Sequence, residues 1–252
     1  MLARRFIIRL ILVGIGSTMV TANAQTLSLD LGADQWVLGL LAKKDIYAVS
    51  HLATSPSLSY LHHKTQGVRI HHNRPEEFLN NTIKMVIGYH PISPFYKMLF
   101  KKKGVRVVEL KHPQTLEELK QQIMFITRLF NQKRKGEIWC RQLAHICQRK
   151  RGKILIFTGH RYAPGRHTLY GAITEKLGFA RPPFKGWRYL SLERVLTYAP
   201  DHIGYTTPLP RTPFWQGMCK KARCVHINQS HILSPYPEAV LSLARDLEKE
   251  AA

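Results

Sequence analysis

Residues 114–151 read QTLEELKQQIMFITRLFNQKRKGEIWCRQLAHICQRKR, and no part of this stretch has the pattern of a strand. Its apolar residues recur at helical spacing in two groups, Ile123, Ile126 and Phe130 and then Ile138, Leu143 and Ile146. Thr115 followed by Glu118 forms a capping box that opens a helix, and Gly136 is the only obvious break. A connection of this length is uncommon inside one compact domain, so the sequence predicts two units joined by a stiff helix.

Short runs rich in Ile, Val and Tyr alternate with helical segments on both sides of this connector. Before it, the pattern predicts strands at 27–29, 46–49, 85–88 and 105–110 and helices at 33–41 and 75–81. After it, the pattern predicts strands at 154–158, 202–205 and 224–227 and helices at 169–177, 192–198 and 238–249. The predicted fold class is α/β, with two Rossmann-like lobes at 25–132 and 153–252, a connecting helix at 133–152 and a ligand cleft between the lobes.

The first 24 residues have the organisation of a secretory signal peptide. Arg4, Arg5 and Arg9 form the basic start, residues 10–21 are uncharged, and Ala22-Asn23-Ala24 supplies the small-x-small cleavage pattern. The uncharged run is shorter than the ~20 apolar residues of a membrane-spanning helix. We therefore expect cleavage near Ala24 and a periplasmic protein, with an uncleaved N-terminal anchor as the alternative. No cysteine stands at the cleavage point for acylation.

The chain is strongly basic, with 38 Lys and Arg against 16 Asp and Glu and a formal net charge of +22. Such a charge normally suggests nucleic acid as a partner. An exported protein meets little nucleic acid, and the basic residues have few aromatic neighbours, so we expect no nucleic-acid binding. The densest run, residues 101–103, is interpreted as the solvated end of a helix.

Signatures of enzymes and of resident metal sites are missing from the sequence. There is no nucleophile elbow, no phosphate-binding loop and no glycine fingerprint after a strand, so the chain is predicted not to be an enzyme. The pairs His62-His63 and His71-His72 each offer at most one ring to a shared metal, and no metal site is predicted. Of the four cysteines, Cys219 and Cys224 are close enough to pair, whereas two others, Cys140 and Cys147, are predicted to be packed thiols.

The loops that follow the predicted strands carry aromatic and cationic side chains. Ligands collect at the carboxyl ends of strands in α/β sheets, so these loops are the predicted binding site. Its candidate ligand-binding residues are Tyr89, His90, Tyr96, His160, Arg161, Tyr162, Arg166, Trp187, Arg188 and Trp215. The composition suits a large ligand with rings and negative charge, held between the two lobes.

The order of several motifs resembles that of the periplasmic substrate-binding proteins of iron-siderophore and vitamin B12 ABC transporters. In the first lobe these motifs are LSLDLGADQWVLGL at 27–40, SPSLS at 55–59, NRPEEFL at 73–79 and MVIG at 85–88. In the second lobe they are LSLERVL at 190–196 and APDHI at 199–203. The resemblance covers nearly the whole mature length. Ile83-Lys84 stands where the family usually has Pro-Asp.

The resemblance implies a ligand held between two lobes with little hinge motion. It also implies that Glu76 and Glu193, one on each lobe, dock into arginine pockets of a permease. An acidic residue at a helix start is equally well explained by the helix dipole.

Together these features predict a monomeric carrier that captures a ferric siderophore or cobalamin and delivers it to an inner-membrane permease dimer. It has no cofactor of its own, although the ligand contains iron or cobalt. The predicted roles are charge compensation by Arg161, Arg166 and Arg188 and ring stacking by Tyr89, Tyr162, Trp187 and Trp215.

Three alternatives remain open. The first is a haem carrier of the same fold with Tyr89, His90 or His160 as axial ligand. The second is an exported protein that binds polyanions such as lipopolysaccharide. The third is an exported hydrolase, which lacks a recognisable nucleophile and base.

Overall fold

The computed structural model describes residues 25–79, 82–89, 91–146, 149–159, 161–180 and 182–250. The predicted signal peptide and its cleavage point lie outside these residues. Within the described ranges, no helix is long and apolar enough to cross a membrane.

The N-terminal lobe is built on a five-stranded parallel sheet with the order β3-β2-β1-β4-β5. Its elements are β1 (Gln25–Ser28), α1 (Leu31–Leu40), β2 (Ile46–Ser50), β3 (Ile70–His71), β4 (Ile83–Tyr89), α2 (Pro94–Lys102) and β5 (Arg106–Leu110). Strands β2 and β4 are almost entirely buried, as expected for a parallel sheet covered on both faces. Short 3-10 helices occupy the loops at Lys43–Asp45, His51–Thr54, His62–Lys64 and Pro75–Phe78.

The connector is a pair of helices, α3 (Leu116–Leu129) and α4 (Lys133–Ala144). The chain turns between them at residues 130–132, where Asn131 takes a φ of 56°. The Thr115 hydroxyl accepts a hydrogen bond from the Glu118 amide and caps α3, as the capping box predicts. Gly136 lies inside α4, so the predicted break at this residue is wrong. A Cβ there would stand 2.2 Å from the Thr127 hydroxyl oxygen, so the glycine lets the two helices approach closely.

The C-terminal lobe has a four-stranded parallel sheet with the order β11-β10-β6-β8 and a two-stranded antiparallel ribbon formed by β7 and β9. Its elements are β6 (Arg151–Phe157), β7 (Tyr162–Pro164), α5 (Leu169–Lys176), β8 (Phe179–Ala180), β9 (Trp187–Tyr189), α6 (Leu192–Tyr198), β10 (His202–Tyr205), α7 (Pro213–Lys221), β11 (Arg223–His226) and α8 (Pro237–Glu250). A disulfide joins Cys219 to Cys224. Cys140 is a half-buried free thiol, and Cys147 lies outside the described residues.

This architecture confirms the predicted fold class, two α/β lobes with parallel sheets flanked by helices. The strands and helices predicted within the two lobes are present, with ends shifted by up to three residues. The connecting helix predicted at 133–152 is shorter, because α4 ends at Ala144 and β6 already begins at Arg151. The segment predicted as a helix at 75–81 is only a 3-10 turn, Pro75–Phe78. Only the end of α2 was predicted, from the basic run at 101–103, and the helix α7, the short strands β3 and β8 and the β7–β9 ribbon were not predicted.

The main hydrophobic core runs from the first sheet through the connector into the second sheet and α8, and each lobe has a smaller cluster of its own. At its centre the rings of Trp36, Trp139 and Tyr236 meet edge to face, with centroids 5.4–6.2 Å apart. Lys135 lies beside them, and its Nζ donates a 2.9 Å hydrogen bond to the Gly39 carbonyl and stands over the Trp139 ring. Burial lowers the pKa of Lys135, although nearby Glu238 acts in the opposite direction. The two lobes, the connector and the C-terminal helix are therefore packed as one body.

Two carboxylates at the start of α1, the partly buried Asp30 and the buried Asp34, fix the loops at the carboxyl edge of the first sheet. Asp30 caps α1 by accepting from the Ala33 amide, and its second oxygen accepts a 2.6 Å bond from the Tyr89 amide. The carboxylate of Asp34 accepts from the amide and hydroxyl of Ser50, at 3.0 and 2.5 Å. Burial raises the pKa of Asp34 to about 7, and its hydrogen bonds with Ser50 offset this effect only in part.

The close approach of Gly39 to Tyr236 predicts a cost for a substitution that normally favours helices. A Cβ at position 39 would lie 2.2 Å from the Tyr236 hydroxyl oxygen and 2.8 Å from the ring carbon that carries it. We expect Gly39→Ala to lower the free energy of unfolding by about 1–3 kcal/mol, the usual cost of overpacking. Urea denaturation followed by circular dichroism measures the change.

Gly217→Ala in α7 is the matched control, because no atom lies within 4 Å of the Cβ it would add. It should leave stability unchanged or raise it by up to about 1 kcal/mol. The Tyr236 hydroxyl is buried and has no hydrogen-bond partner among the described residues, so adding Tyr236→Phe should recover part of the loss. Equal effects of the two glycine substitutions would contradict this account.

The raised pKa of Asp34 predicts that stability falls as the pH rises. In the folded state the Asp34 carboxyl keeps its proton up to about pH 7, whereas in the unfolded chain it loses the proton near its ordinary pKa of 3.8. The stabilisation is complete below the lower value and is lost as the pH rises through the higher one. Asp34→Asn should remove this pH dependence, which changes the free energy of unfolding by at most about 4 kcal/mol. Urea midpoints at pH 5 and pH 8 measure it, and parallel pH slopes in both proteins would exclude Asp34 as its source.

Candidate functional site

A cavity of about 520 Å³ lies where the carboxyl edges of the two sheets face each other. The N-terminal lobe contributes His112, Pro113 and Gln114, which follow β5, and the C-terminal lobe contributes segments after β6 and before α5. The remaining lining residues are Thr158, His167, Thr168, Leu169, Tyr170, Gly186, Trp187, Ile232, Leu233 and Pro235. This is the position at which open α/β sheets bind ligands.

One wall of the cavity is aromatic. Trp187 begins β9, where it pairs with Pro164 of β7, and its side chain is 44% exposed. Its ring packs edge to face on Tyr170 of α5, with centroids 5.7 Å apart. Burial raises the pKa of the Tyr170 phenol well above its usual range, so this phenol is neutral. The wall therefore offers a large, half-exposed ring to an apolar or aromatic ligand group.

Two histidines line the same cavity from opposite lobes. The His112 ring stacks on Tyr89 with centroids 4.4 Å apart, and burial lowers the pKa of His112 although Asp30 acts in the opposite direction. His167 takes a left-handed φ of 64° immediately before Thr168, whose hydroxyl caps α5 by accepting from the Gly171 amide. The cap therefore fixes the backbone on which His167 stands.

Positive charge borders this cavity. A neighbouring cavity of about 310 Å³ shares Gln114, His167 and Thr168 with it and is also lined by Arg166 and Glu175. The Arg166 side chain reaches the Pro183 carbonyl at 3.4 Å. Its Nε is buried and has no hydrogen-bond partner among the described residues. An acceptor brought by a ligand would relieve the cost of this unsatisfied donor.

A separate pocket of about 590 Å³ lies within the C-terminal lobe. Arg161, with a φ of 65°, stands over the Tyr189 ring at 4.6 Å and donates a hydrogen bond to its hydroxyl. Trp215 also lines this pocket but is only 4% exposed, because it packs against Phe157 and Phe214. Arg161 and Trp215 therefore line the same pocket, which is separate from the cavity that contains Trp187.

Two other predicted residues lie on the ribbon. Tyr162 is 52% exposed and faces Tyr189 across the β7–β9 pair, and Arg188 is exposed opposite Ala163. Neither is among the residues that line the cavity with Trp187.

The predicted ligand role of Tyr89 needs correction, whereas Tyr96 is half-buried and does not line the cavity that contains Trp187. Tyr89 is buried, and its hydroxyl accepts from the Trp36 indole at 3.0 Å and donates to Gln122 at 2.8 Å. Burial raises its pKa far above the usual range, so Tyr89 is a neutral core residue. Tyr96 donates to the Asn73 carbonyl at 2.6 Å, and its ring packs on Phe78 and Phe100. His90 and His160 lie outside the described residues.

Several lining residues, chiefly His112, His167 and Tyr170, were not predicted from the sequence. His112 follows the strand predicted at 105–110 and Tyr170 lies in the helix predicted at 169–177, and neither was selected as a ligand contact. The available signal was the position of His112 just after β5 and of His167 just before α5, at the edge where ligands bind.

The histidine-rich segments form no metal centre among the described residues, which contain no group of three or more His, Cys, Asp or Glu able to hold an ion. His71 is buried, with a ring nitrogen 2.6 Å from the Ser28 carbonyl. His51 and His72 stack on each other at 5.5 Å.

The two glutamates that the resemblance singled out are exposed. Glu76 is the second residue of the 3-10 turn Pro75–Phe78, and Glu193 is the second residue of α6.

No protein-family model and no curated protein sequence matches the chain, but solved structures do. FhuD2 of Staphylococcus aureus matches with a TM-score of 0.70 at 17% identity, over 90% of this chain and 98% of that one. HutB of Vibrio cholerae, a periplasmic haem-binding protein, matches with a TM-score of 0.68 at 15% identity, over 91% of this chain and 98% of HutB. A possible iron-binding periplasmic solute-binding protein of Staphylococcus epidermidis matches with a TM-score of 0.66 at 18% identity, over 88% of this chain and 98% of that one. The chain therefore has the two-lobed fold of the periplasmic solute-binding proteins.

Proposed function

We propose that this chain is the periplasmic solute-binding protein of an ABC importer. In this role it captures a metal-chelate ligand, a ferric siderophore or cobalamin, and delivers it to a permease dimer in the inner membrane. The carrier acts as a monomer after removal of a signal peptide near Ala24. The proposal is supported by the shared fold with iron- and haem-binding proteins and by the cleft between the lobes.

The observation that carries the proposal is the chemistry of the interlobe cavity. Among the described residues that line it, none has a carboxylate, whereas Trp187 and Tyr170 form an aromatic wall and Arg166 stands at its border. Its volume of about 520 Å³ lies in the range of cavities that enclose small ligands, on the order of 300–1,000 Å³. Such a cavity suits an anionic or neutral molecule with rings.

The same chemistry favours a chelate over a bare metal ion. The described residues contain no cluster of metal-ligating side chains, so a metal would have to bring its own ligands. The protein would then recognise the outer surface of the chelator through stacking and through hydrogen bonds from arginine.

The continuous core suggests that the cavity exists before the ligand arrives. The rings of Trp36, Trp139 and Tyr236 hold the first lobe, the connector and the C-terminal segment together. Binding to a preformed site loses little free energy to reorganisation.

Calorimetric titration with ferric hydroxamates, ferric catecholates and cobalamin tests the proposal. One class should bind, and Trp187→Ala or Arg166→Gln should weaken its binding at least tenfold, because each removes a contact at the cavity or its border. Phe125→Ala is the control, since Phe125 is 50% exposed on α3 and is not a lining residue. Failure of every ligand to bind would refute the proposed function. If the affinity for these ligands falls steeply as the salt concentration rises and is similar for every chelate, the result would instead favour a polyanion-binding protein.

A haem ligand is the second candidate, favoured by the two imidazoles in the cavity. His112 and His167 reach it from opposite lobes, and Trp187 adds a flat ring. Tyr89 cannot serve as the axial ligand in this arrangement, because its hydroxyl is buried between Trp36 and Gln122.

Haem titration followed by absorption spectroscopy tests this candidate. If the protein binds haem, a shifted Soret band should appear, and His112→Ala or His167→Ala should change it, because an axial ligand is lost. His63→Ala on the surface of the first lobe is the control, since His63 is exposed and is not a lining residue. A Soret band that is identical in both cavity variants would exclude these histidines as axial ligands.

A further inference from the structure

The pocket of about 590 Å³ in the C-terminal lobe has no part in the proposed function. This C-lobe pocket is lined by Arg161, Tyr189 and Trp215, together with residues of the loop after β10 and the start of α6. It is as large as the interlobe cavity, which has a volume of about 520 Å³. Two of the residues that the sequence selects for ligand binding, Arg161 and Trp215, therefore belong to a pocket that needs an occupant of its own.

The C-lobe pocket and the interlobe cavity lie on opposite faces of the second sheet. Phe157, the last residue of β6, lines the C-lobe pocket, whereas the next residue, Thr158, lines the interlobe cavity. Successive residues of a strand point to opposite faces of its sheet. Accordingly, Phe157 packs in the smaller cluster that includes α6 and α7, while Ile154 and Ile156 belong to the main core. A molecule in the C-lobe pocket would leave the interlobe cavity free.

The walls of the C-lobe pocket are mostly apolar and are held in place by the core. Phe157 and Trp215 are only 2% and 4% exposed, and their rings pack edge to face with centroids 5.5 Å apart. The loop after β10 adds Leu209 between Pro208 and Pro210, whose rings restrict the backbone. A pocket of this size, with apolar walls and few polar groups, is typical of sites that bind small molecules.

Arg161 is the only charged side chain among the described residues that line the C-lobe pocket. Its guanidinium lies 4.6 Å from the centroid of the Tyr189 ring and donates a hydrogen bond to the Tyr189 hydroxyl. Its backbone has a φ of 65°, and its carbonyl accepts a 3.1 Å hydrogen bond from the Leu190 amide. A non-glycine residue rarely adopts this left-handed conformation, and such strain is concentrated at functional sites. A guanidinium has five N–H donors, so donors remain for an acceptor in the pocket.

We propose that the C-lobe pocket binds a small organic acid, one carboxylate on an apolar body, as a ligand separate from the chelate. The carboxylate accepts charge-assisted hydrogen bonds from Arg161, and the apolar body displaces water from the walls. One guanidinium balances one negative charge, and no described lining residue has a carboxylate that would repel the ligand. A phosphate dianion would bury a second charge without a partner. The inference holds whether or not the interlobe cavity binds a chelate.

Calorimetric titration of the purified protein with phenylacetate, indoleacetate and isovalerate tests the proposal. The amide of each acid is the uncharged comparison, and inorganic phosphate supplies charge without an apolar body. Arg161→Gln removes the cation, and Leu209→Trp fills the pocket with an indole ring. Arg194→Gln is the matched control, because Arg194 is exposed on α6 of the same lobe and is not a lining residue. Thermal unfolding followed by circular dichroism checks that each variant is folded.

At least one of the acids should bind, and Arg161→Gln should weaken its binding about tenfold or more, because a charge-assisted hydrogen bond is lost. Leu209→Trp should weaken the same acid by a similar factor, whereas Arg194→Gln should stay within about twofold of the wild type. The matching amide and phosphate should bind about tenfold more weakly than the acid. The proposal is overturned if none of the acids binds, if Arg161→Gln binds as well as the wild type, or if acid and amide bind equally.

Discussion

The edge-to-face packing of Trp36, Trp139 and Tyr236 is the contact on which the geometry of this protein depends. The three rings come from α1, α4 and the segment before α8, so they join parts of the chain that are distant in sequence. Lys135 adds a hydrogen bond to the end of α1 at the same place. Since the cavity wall is made by loops from both lobes, its shape follows from how this contact sets one lobe against the other. Large aromatic rings suit this task because they bury much area with few rotatable bonds.

Much of the fold could be predicted because it depends on local pattern. Parallel strands buried on both faces appear as runs of Ile and Val, and α6 lies at its predicted limits, where the Ser191 side chain caps it. The start of α2 and the whole of α7 were missed although both helices begin with a proline, because their aromatic residues were interpreted as ligand contacts in loops. Gly136 was interpreted as a break because its contact partner, Thr127, is a neighbour only after the two helices have packed.

The candidate site was only partly predictable, because side-chain direction and the relative placement of the lobes do not follow from local sequence pattern. The position of a loop at the carboxyl edge of a sheet follows from strand order, so Arg166 and Trp187 could be selected from sequence. The direction of a side chain depends on the pleat of its strand. Tyr89 is still a strand residue, and its side chain enters the core between α1 and α3 instead of the cavity. His112 and His167 reach the cavity because of the relative placement of the lobes, which no local pattern encodes.

The disulfide between Cys219 and Cys224 has a consequence for the behaviour of the second sheet. It closes a loop with a sequence separation of 5 between the last turn of α7 and β11, which is an edge strand. So short a loop gains only about 2 kcal/mol from reduced chain entropy, so its main effect is local. Open strand edges are templates for pairing with other chains, and a covalent clamp limits how far this one can move. Protein made in a reducing compartment would lack the clamp, and its tendency to self-associate would depend on where it was folded.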